Sequence, residues 1–203
     1  MKTVRRITFA LSAFVCVALA SCGEQPPVAP PDAPEAQEPS GTVTIQYYEA
    51  PRLVVEAESG EIEAPMALFE DAEASGGQYA MAPEGPDHSE ISIGGHVLCS
   101  FALPEAGEYV LWFRTRWSGE CGDSLDVVLD LDELGPVQDA TYERWHWARL
   151  QKPVQIAAGE HTLLIENRED GAAVDQILLT PDPDYRPTEI QASSEPSVLS
   201  QAL

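Results

Sequence analysis

Three carboxylates have the residue types and positions expected of a cation site. Glu56 and Glu58 are two residues apart in the first strand-like run, so a strand would place both on one face, with their Cβ atoms about 7 Å apart. Asp175 shares the period-2 phase of Ile177 and Leu179 in the last run, and a carboxylate on an apolar face needs a partner. If these strands are neighbours, the three carboxylates form an oxygen cage suited to Ca²⁺. The alternative is that both glutamates face water and Asp175 is hydrogen-bonded in a turn.

Short strands are the elements that must position these carboxylates. Runs rich in β-branched, aromatic and leucine residues alternate with Gly, Pro, Asp and Ser, whereas long amphipathic helices are absent from the pattern. The runs are 53–58, 78–81, 90–93, 97–103, 109–117, 125–131, 145–150, 161–166 and 174–180, and residues 64–73 could form a short helical turn. This punctuation predicts an all-β fold, a β-sandwich of the jelly-roll type.

The first 21 residues have the pattern of an export signal. A basic start is followed by an apolar run that is too short and wrongly flanked for a stable membrane span. The run ends in Leu-Ala-Ser-Cys-Gly at residues 19–23, which resembles a bacterial lipobox. We therefore predict export and a lipid anchor at Cys22, and Gly23 after it resembles the outer-membrane sorting pattern. The alternative is an ordinary signal peptide with an accidental cysteine.

The remaining chain divides by composition into a spacer, one domain and a tail. Residues 22–44 are rich in Pro, Ala, Glu and Gln, with almost no large apolar side chains, so we predict an extended tether. Residues 45–186 have the size of one domain. Residues 187–203 return to Ser, Glu, Pro and Gln, which predicts a flexible tail.

Charge limits the ligands. The 203 residues include 34 acidic and 11 basic side chains, for a net charge of −23. Such a surface repels nucleic acid, anionic lipid and sulfated or uronic polysaccharides, whose binding depends on Lys and Arg. It suits a hard cation or a neutral ligand, and the alternative is that it serves only solubility.

Two cysteines remain once Cys16 in the signal and Cys22 are set aside. In an oxidising compartment we predict a disulfide between Cys99 and Cys121, which would close a loop of about twenty residues and stabilise the fold by about 3 kcal/mol. Two lone cysteines make a poor zinc site.

Seven short motifs, taken in order, resemble carbohydrate-binding modules of families 6 and 35, which are galactose-binding-like β-jelly rolls. They are Glu-Ala-Glu at 56–58, Ser-Gly-Gly-Gln-Tyr at 75–79, Leu-Pro-Glu-Ala-Gly-Glu-Tyr at 103–109, Asp-Ser-Leu at 123–125, Trp-His-Trp at 145–147, Ala-Gly-Glu-His-Thr-Leu at 158–163 and Arg-Glu-Asp-Gly-Ala-Ala-Val-Asp at 168–175. The resemblance implies that Glu56, Glu58 and Asp175 are structural calcium ligands, with carbonyl ligands expected near 75–77.

The resemblance also implies a sugar cleft among loops at one end of the sandwich. Tyr79 and Trp117 stand at positions resembling the cleft aromatics, which would stack on the apolar face of a pyranose. The alternative is that Trp117 is buried under the following loop. Family 6 often has Asn where this chain has Ala173, so Asn167 or Asp170 would supply the missing polar contact, or the cleft would bind something else.

The sequence contains no nucleophile elbow, zinc-protease motif or phosphate loop, and we predict that the protein is not an enzyme. The predicted function is non-catalytic binding of a polysaccharide or other neutral glycan by a membrane-tethered lipoprotein with structural calcium. The alternative, which Ala173 favours, is an envelope domain that keeps the jelly roll, binds a protein partner and no longer binds sugar.

Overall fold

Twelve β-strands and two 3₁₀ turns make up the regular structure of residues 52–84 and 94–194, the parts of the chain that the computed structural model describes. The strands are β1 (Leu53–Glu56), β2 (Glu61–Glu63), β3 (Ala67–Glu70), β4 (Gln78–Met81), β5 (His96–Leu103), β6 (Gly107–Trp117), β7 (Ser124–Leu129), β8 (Asp132–Gln138), β9 (His146–Arg149), β10 (Val154–Ile156), β11 (Gly159–Asn167) and β12 (Ala172–Thr180), and the turns are Ala57–Ser59 and Ser75–Gly77. The predicted signal peptide 1–21, the tether 22–44, the lipid site Cys22 and the predicted strand 90–93 lie outside the described residues.

The strands form two antiparallel sheets. One has seven strands, in the order β10-β6-β12-β4-β3, with β1 also paired to β12 and β9 also paired to β6. The other has five strands in the order β2-β5-β11-β7-β8. The prediction of an all-β sandwich of the jelly-roll type is confirmed. Among the described residues, no helix is long and apolar enough to cross a membrane.

The core lies between the two sheets and follows from the alternation of their strands. Leu111 and Phe113 of β6 are fully buried in it, as are Leu163 and Ile165 of β11 from the other sheet. Each such side chain contributes about 1.5–3 kcal/mol by leaving water. The residues between them on β6 point to the outer face of the seven-stranded sheet, where Trp112 belongs to a separate cluster.

A β-bulge in β12 changes the direction of Asp175. Across β6, Val174 pairs with Thr115 and Gln176 with Arg114, so Asp175 is an extra residue in the ladder. Val174 and Ile177 therefore both belong to the core, whereas Asp175 contacts Arg114 on the outer face. The predicted shared phase of Asp175 with Ile177 and Leu179 is wrong, because a bulge reverses the alternation at one residue.

The part of the chain that packs on the sandwich extends further toward the C-terminus than predicted. Ser194 donates its amide to the Val54 carbonyl at 3.0 Å, and the Val54 amide donates to Ser194 Oγ at 2.9 Å. The Gln191 amide donates to Gln176 Oε1 at 3.0 Å. The predicted flexible tail is therefore wrong for residues 187–194, which form part of the domain, and residues 195–203 lie outside the described residues.

The predicted disulfide between Cys99 and Cys121 is wrong, because both thiols are free and lie in different environments. Cys99 is buried in the core on β5, where burial raises the pKa of its thiol to about 12. Cys121 is exposed in the loop between β6 and β7. Loop length alone does not say whether two side chains point toward each other, and disulfide geometry requires that they do.

Candidate functional site

Glu56, Glu58 and Asp175 lie together, each offering one carboxylate oxygen within 4.8 Å of the other two. The cluster forms where β4 and β1 follow one another along the same edge of β12. β4 pairs with Ala173 and Val174, and β1 pairs with residues from Gln176 onward, so the bulged Asp175 sits at the junction.

The backbone that carries Glu56 and Glu58 differs from the predicted strand. The strand ends at Glu56, and Glu58 lies in the 3₁₀ turn that follows. The two glutamates are therefore not neighbours on one strand face, and the turn brings Glu58 toward the other two carboxylates.

Hydrogen bonds orient two of the three carboxylates. The Ser75 amide donates to Asp175 Oδ1 at 3.0 Å, and Ser75 Oγ donates to Glu56 Oε1, also at 3.0 Å. Arg114 forms a buried ion pair with the other oxygen of Asp175. These contacts leave a specific deficit: Glu56 Oε2 and Glu58 Oε2 are buried and have no hydrogen-bond partner among the described residues.

The raised pKa values of Glu58 and Asp175 show that the cluster has too little positive charge nearby to stabilise its carboxylates. Burial raises the pKa of Glu58 to about 7, and the negative charges of Glu56 and Asp175 add to the rise. Burial also raises the pKa of Asp175 to about 6, although Arg114 and the Ser75 amide act in the opposite direction. Buried acceptors without partners are costly, and three convergent carboxylate oxygens are the donor set that a hard divalent cation prefers. The residues present therefore fit a calcium ion.

Gly76 provides the room that Glu58 needs. Its φ of 62° lies in the left-handed region, and a Cβ on it would lie 3.1 Å from Glu58 Oε1. The Ser-Gly-Gly turn thus brings backbone close to the carboxylates in a conformation that glycine adopts without strain.

A cleft of about 540 Å³ lies at one end of the seven-stranded sheet. It is lined by Tyr79, Met81, Glu84, Arg116, Trp117, Ser118, Glu143, Gly171 and Ala173. Gly171 has a φ of 80°, and a Cβ on it would lie 2.3 Å from Ser118 Oγ and 2.7 Å from Glu84 Oε1. The wall of the cleft therefore requires glycine at this position.

The two predicted cleft aromatics meet in this cleft, but they do not offer open ring faces. Trp117 is 0% exposed; its indole N–H donates to Asp139 at 3.2 Å, and its ring packs edge-on against His146. The predicted stacking of a sugar on Trp117 is wrong, because the ring belongs to the core. Tyr79 is 9% exposed and is packed between Phe69 and Trp145.

Asn167 and Asp170 do not line the cleft. Asn167 is buried at the end of β11 opposite Leu125, on the five-stranded sheet. Asp170 lies in the turn before β12, where its carbonyl is 2.6 Å from the position of a Cβ on Gly122. Their predicted contact with sugar is not supported, because neither residue lines the cleft. Ala173 does line the cleft, as the motif comparison implies.

The sequence reasoning missed the polar residues that the cleft does contain. Arg116 reaches the cleft and donates to Asp71 at 3.0 Å, with a side chain that is 44% exposed. Asp71 also accepts from the Trp145 indole at 3.1 Å. The backbone amide of Glu73, together with Trp145 and Arg116, lowers the pKa of Asp71. The signal for Arg116 was its alternation with core residues on β6, but the sequence does not show that Asp71, just after β3, and Trp145, just before β9, lie beside it.

A second cavity, of about 700 Å³, opens between β1 and the strands β5 and β11, and His161 and Asp130 line it. The His161 Nδ1 contacts Asp130 Oδ2 at 2.5 Å, and Nε2 contacts the Ala157 carbonyl at 2.9 Å. His161 is 9% exposed. Both ring nitrogens thus have an oxygen partner, as a charged imidazolium requires. His161 therefore links Asp130 to the backbone at Ala157.

Solved structures of other proteins have a similar fold. The GH26-CBM35 β-(1,4)-mannanase of Podospora anserina is similar at a TM-score of 0.54 with 18% identity, over 70% of this chain and 30% of that one. The exo-β-1,3-galactanase of Phanerochaete chrysosporium is similar at 0.50 with 15% identity, over 66% of this chain and 30% of that one. This chain therefore spans under a third of either enzyme.

The C-terminal CBM6 of LamC, a marine laminarinase of Zobellia galactanivorans, is similar at a TM-score of 0.50 with 18% identity, over 64% of this chain and 99% of that one. No protein-family model matches the chain, and no curated protein matches it. The predicted resemblance is confirmed at the level of the fold: the chain has the β-jelly-roll fold of a family 6 carbohydrate-binding module.

Proposed function

We propose that this protein binds a neutral carbohydrate without catalysis, in the cleft between Tyr79, Arg116 and Glu143. The observation that carries the proposal is the composition of this cleft, in which apolar surface and exposed polar groups of both signs face one space at the loop end of the fold. The match to the CBM6 module covers 99% of that module. This similarity supports carbohydrate as the class of ligand.

The cleft residues have the chemistry that a pyranose requires. Met81, which is partly exposed in the cleft, offers apolar surface to sugar C–H groups. Arg116 is a planar donor whose position is set by Asp71, and Glu143 is an exposed acceptor. Neighbouring sugar hydroxyls both donate and accept, so a guanidinium and a carboxylate across one cleft can bind a pair of them. Because both signs are present, the cleft favours an uncharged ligand.

We propose that the carboxylate cluster holds a structural Ca²⁺. Glu56, Glu58 and Asp175 would be its side-chain ligands, and the ion would neutralise buried oxygens that have no partner. Bound there, it would connect the end of β1, the turn that follows and the bulge of β12. Its role would be to stabilise the fold that carries the cleft.

We further propose, from the sequence pattern alone, that the chain is exported and lipid-anchored at Cys22 to the outer membrane, with residues 22–44 as its spacer. A tethered module of this kind would hold a glycan near the cell surface.

The test is a binding measurement with neutral polysaccharides. The full chain, solubilised in detergent, is titrated with laminarin, mannan and xylan, and the experiment is repeated with Arg116→Ala. The matched control is Arg144→Ala, which removes the same charge from an exposed arginine outside the cleft. We expect binding to one of these glycans that weakens about tenfold or more in Arg116→Ala and stays unchanged in the control. A folded wild-type chain that binds none of them, or equal losses in both variants, would contradict the proposal.

A further inference from the structure

Two arginines contact the Trp112 ring on the outer face of the seven-stranded sheet. Trp112 lies on β6, four residues before Arg116. Trp112 pairs directly with Arg149 across β6 and β9, and the Arg149 Cζ lies 5.8 Å from the centre of the Trp112 ring. Arg186, from the segment after β12, places its Cζ 5.7 Å from the same ring. We refer to Trp112, Arg149 and Arg186 as the arginine–tryptophan cluster.

The cluster contains donors that the described residues do not satisfy. Trp112 is 8% exposed, and both its indole N–H and the Nε of Arg149 are buried without a hydrogen-bond partner in the part of the chain that the structure describes. Burying donors in this way costs free energy unless something accepts from them. Arg186 donates to the Pro183 and Tyr185 carbonyls, at 2.8 Å each.

Neither arginine of the cluster forms an ion pair among residues 52–84 and 94–194. This is unexpected in a chain with 34 acidic and 11 basic side chains, where carboxylates are available to neutralise almost any cation. Like charges held together repel one another, and an anion among them would relieve that repulsion.

We propose that the arginine–tryptophan cluster is a second binding site, for an oxyanion carried by a sugar, either a carboxylate or a sulfate ester. An oxyanion would pair with both guanidinium groups, and it would accept from the two buried donors once the exposed Arg186 side chain moves aside. Trp147 packs against the cluster and is half-buried, with its N–H fixed on the Glu189 carbonyl at 2.8 Å. Its remaining indole surface would contact the ring of the sugar. This inference shares with the proposed function the carbohydrate class of ligand.

The net charge of the chain favours a sugar over other anions. A flat anionic membrane or a nucleic acid would meet the whole acidic surface, which would repel it. A single acidic residue on an oligosaccharide meets mainly the charges within a Debye length, about 8 Å at physiological ionic strength. The charge-based exclusion of uronic and sulfated polysaccharides therefore applies to the chain as a whole and does not extend to this local site.

The test uses the full chain in detergent and three oligosaccharides titrated by calorimetry: hexagalacturonate, a sulfated galactan hexasaccharide and neutral laminarihexaose. The cluster variant is Arg149→Gln with Arg186→Gln. The matched control is Arg144→Gln with Lys152→Gln, which makes the same charge change at two exposed positions outside the cluster. Arg116→Ala reports on the cleft, and the melting temperature of each variant reports on its folding.

We expect one or both acidic oligosaccharides to bind the wild type, with an affinity that falls about tenfold or more in the cluster variant and stays unchanged in the control and in Arg116→Ala. Trp112→Phe, which keeps an aromatic ring and removes the N–H, should weaken the same binding about threefold. Laminarihexaose should bind the cluster variant as it binds the wild type. If the double variant is unfolded, Arg186→Gln alone, at an exposed residue, decides the point.

The proposal is overturned if the wild type binds neither acidic oligosaccharide, or if the control variant loses the binding equally, since the effect would then be one of net charge. Loss in Arg116→Ala alone would assign the acidic ligand to the cleft and would also overturn it. Failure to bind laminarihexaose with retained binding of an acidic oligosaccharide would exclude laminarin as the ligand of the cleft and leave this second site supported.

Discussion

Glu56 and Gln176 face each other across β1 and β12, and the Gln176 side-chain amide donates a 2.9 Å hydrogen bond to Glu56 Oε1. The same oxygen accepts from Ser75 Oγ and from Ser193 Oγ. Glu56 Oε1 is therefore fully occupied by the protein, while Oε2 is buried with no partner in the described residues. One oxygen of this carboxylate thus holds the C-terminal segment, and the other is available to the proposed cation site.

Removal of one ligand should abolish stabilisation by calcium. In the wild type we expect Ca²⁺ to raise the free energy of unfolding by about 2.7 kcal/mol at a concentration 100 times its Kd. Glu58→Gln should lose this increment. In chelator the variant should be no less stable than the wild type, because burial and the charges of Glu56 and Asp175 already raise the pKa of Glu58 to about 7. Thermal melts of the full chain with calcium and with chelator measure both effects.

Asp132→Asn, at an exposed carboxylate on β8, is the control for the calcium effect and should respond to calcium as the wild type does. A wild-type melt that is the same in calcium and in chelator would contradict the cation site.

Gly171→Ala should destabilise the domain and close the cleft. The new Cβ would lie 2.3 Å from Ser118 Oγ at a φ of 80°, so we expect a loss of about 1–3 kcal/mol and weaker glycan binding. Gly119→Ala, in the same loop as Ser118, is the control, because nothing lies within 4 Å of its Cβ position. Urea titrations compare the two, and equal stability for both variants would show that this wall of the cleft is not as tight as the contacts indicate.

The two domain cysteines should differ in reactivity. Cys121 is exposed and Cys99 is buried, with burial raising the pKa of the Cys99 thiol to about 12. Iodoacetamide should therefore modify Cys121 in the native protein and Cys99 only in denaturant, because alkylation requires an accessible thiolate. Peptide mass spectrometry reads out each site, and a peptide pair linked through both cysteines would contradict the free thiols.

The His161–Asp130 pair should stabilise the fold most in mild acid. Burial opposes the charge on His161, but the hydrogen bonds to Asp130 and to the Ala157 carbonyl raise its pKa above the usual 6.5. Burial likewise opposes the charge on Asp130, but His161 and the Thr162 amide lower its pKa below the usual 3.8. The contribution of His161 is present below pH 6.5 and is lost as pH rises through its folded pKa; that of Asp130 is present above pH 3.8 and is lost as pH falls through its folded pKa.

His161→Gln should therefore reduce the free energy of unfolding more at about pH 5.5 than at about pH 9. Urea titrations of the full chain at the two pH values measure the difference. His96→Gln is the control, since its partner Glu63 has a side chain that is 68% exposed and such pairs contribute little. An equal loss for His161→Gln at both pH values would mean that the pair acts by packing alone.

Several features were determined by the sequence because they depend on local chemistry. Alternating apolar residues and frequent turn residues predicted the all-β class and most strands, and the order of the motifs predicted the jelly roll. The short strands β2 and β10 were missed, because each has only three residues and a pattern of that length has no measurable period. Strand β8 was also missed, because Gly135 and Pro136 interrupt its apolar pattern. The possible helical turn at 64–73 is wrong, because the structure has strand β3 there. Glu56, Glu58 and Asp175 were identified as a group because each is a carboxylate in an apolar strand context, and the structure places them within 4.8 Å.

Other features were decided by the tertiary structure, because they depend on direction and on partners distant in sequence. The bulge at Asp175 reversed its face, and only the register against β6 shows it. Trp117 is buried because His146 and Asp139 close over it, whereas its position at a strand end is equally compatible with exposure. Cys99 and Cys121 have a suitable loop between them but lie in different environments. Residue type and spacing determine what a side chain can do; which neighbours it has is decided when the two sheets pack and each strand takes its register.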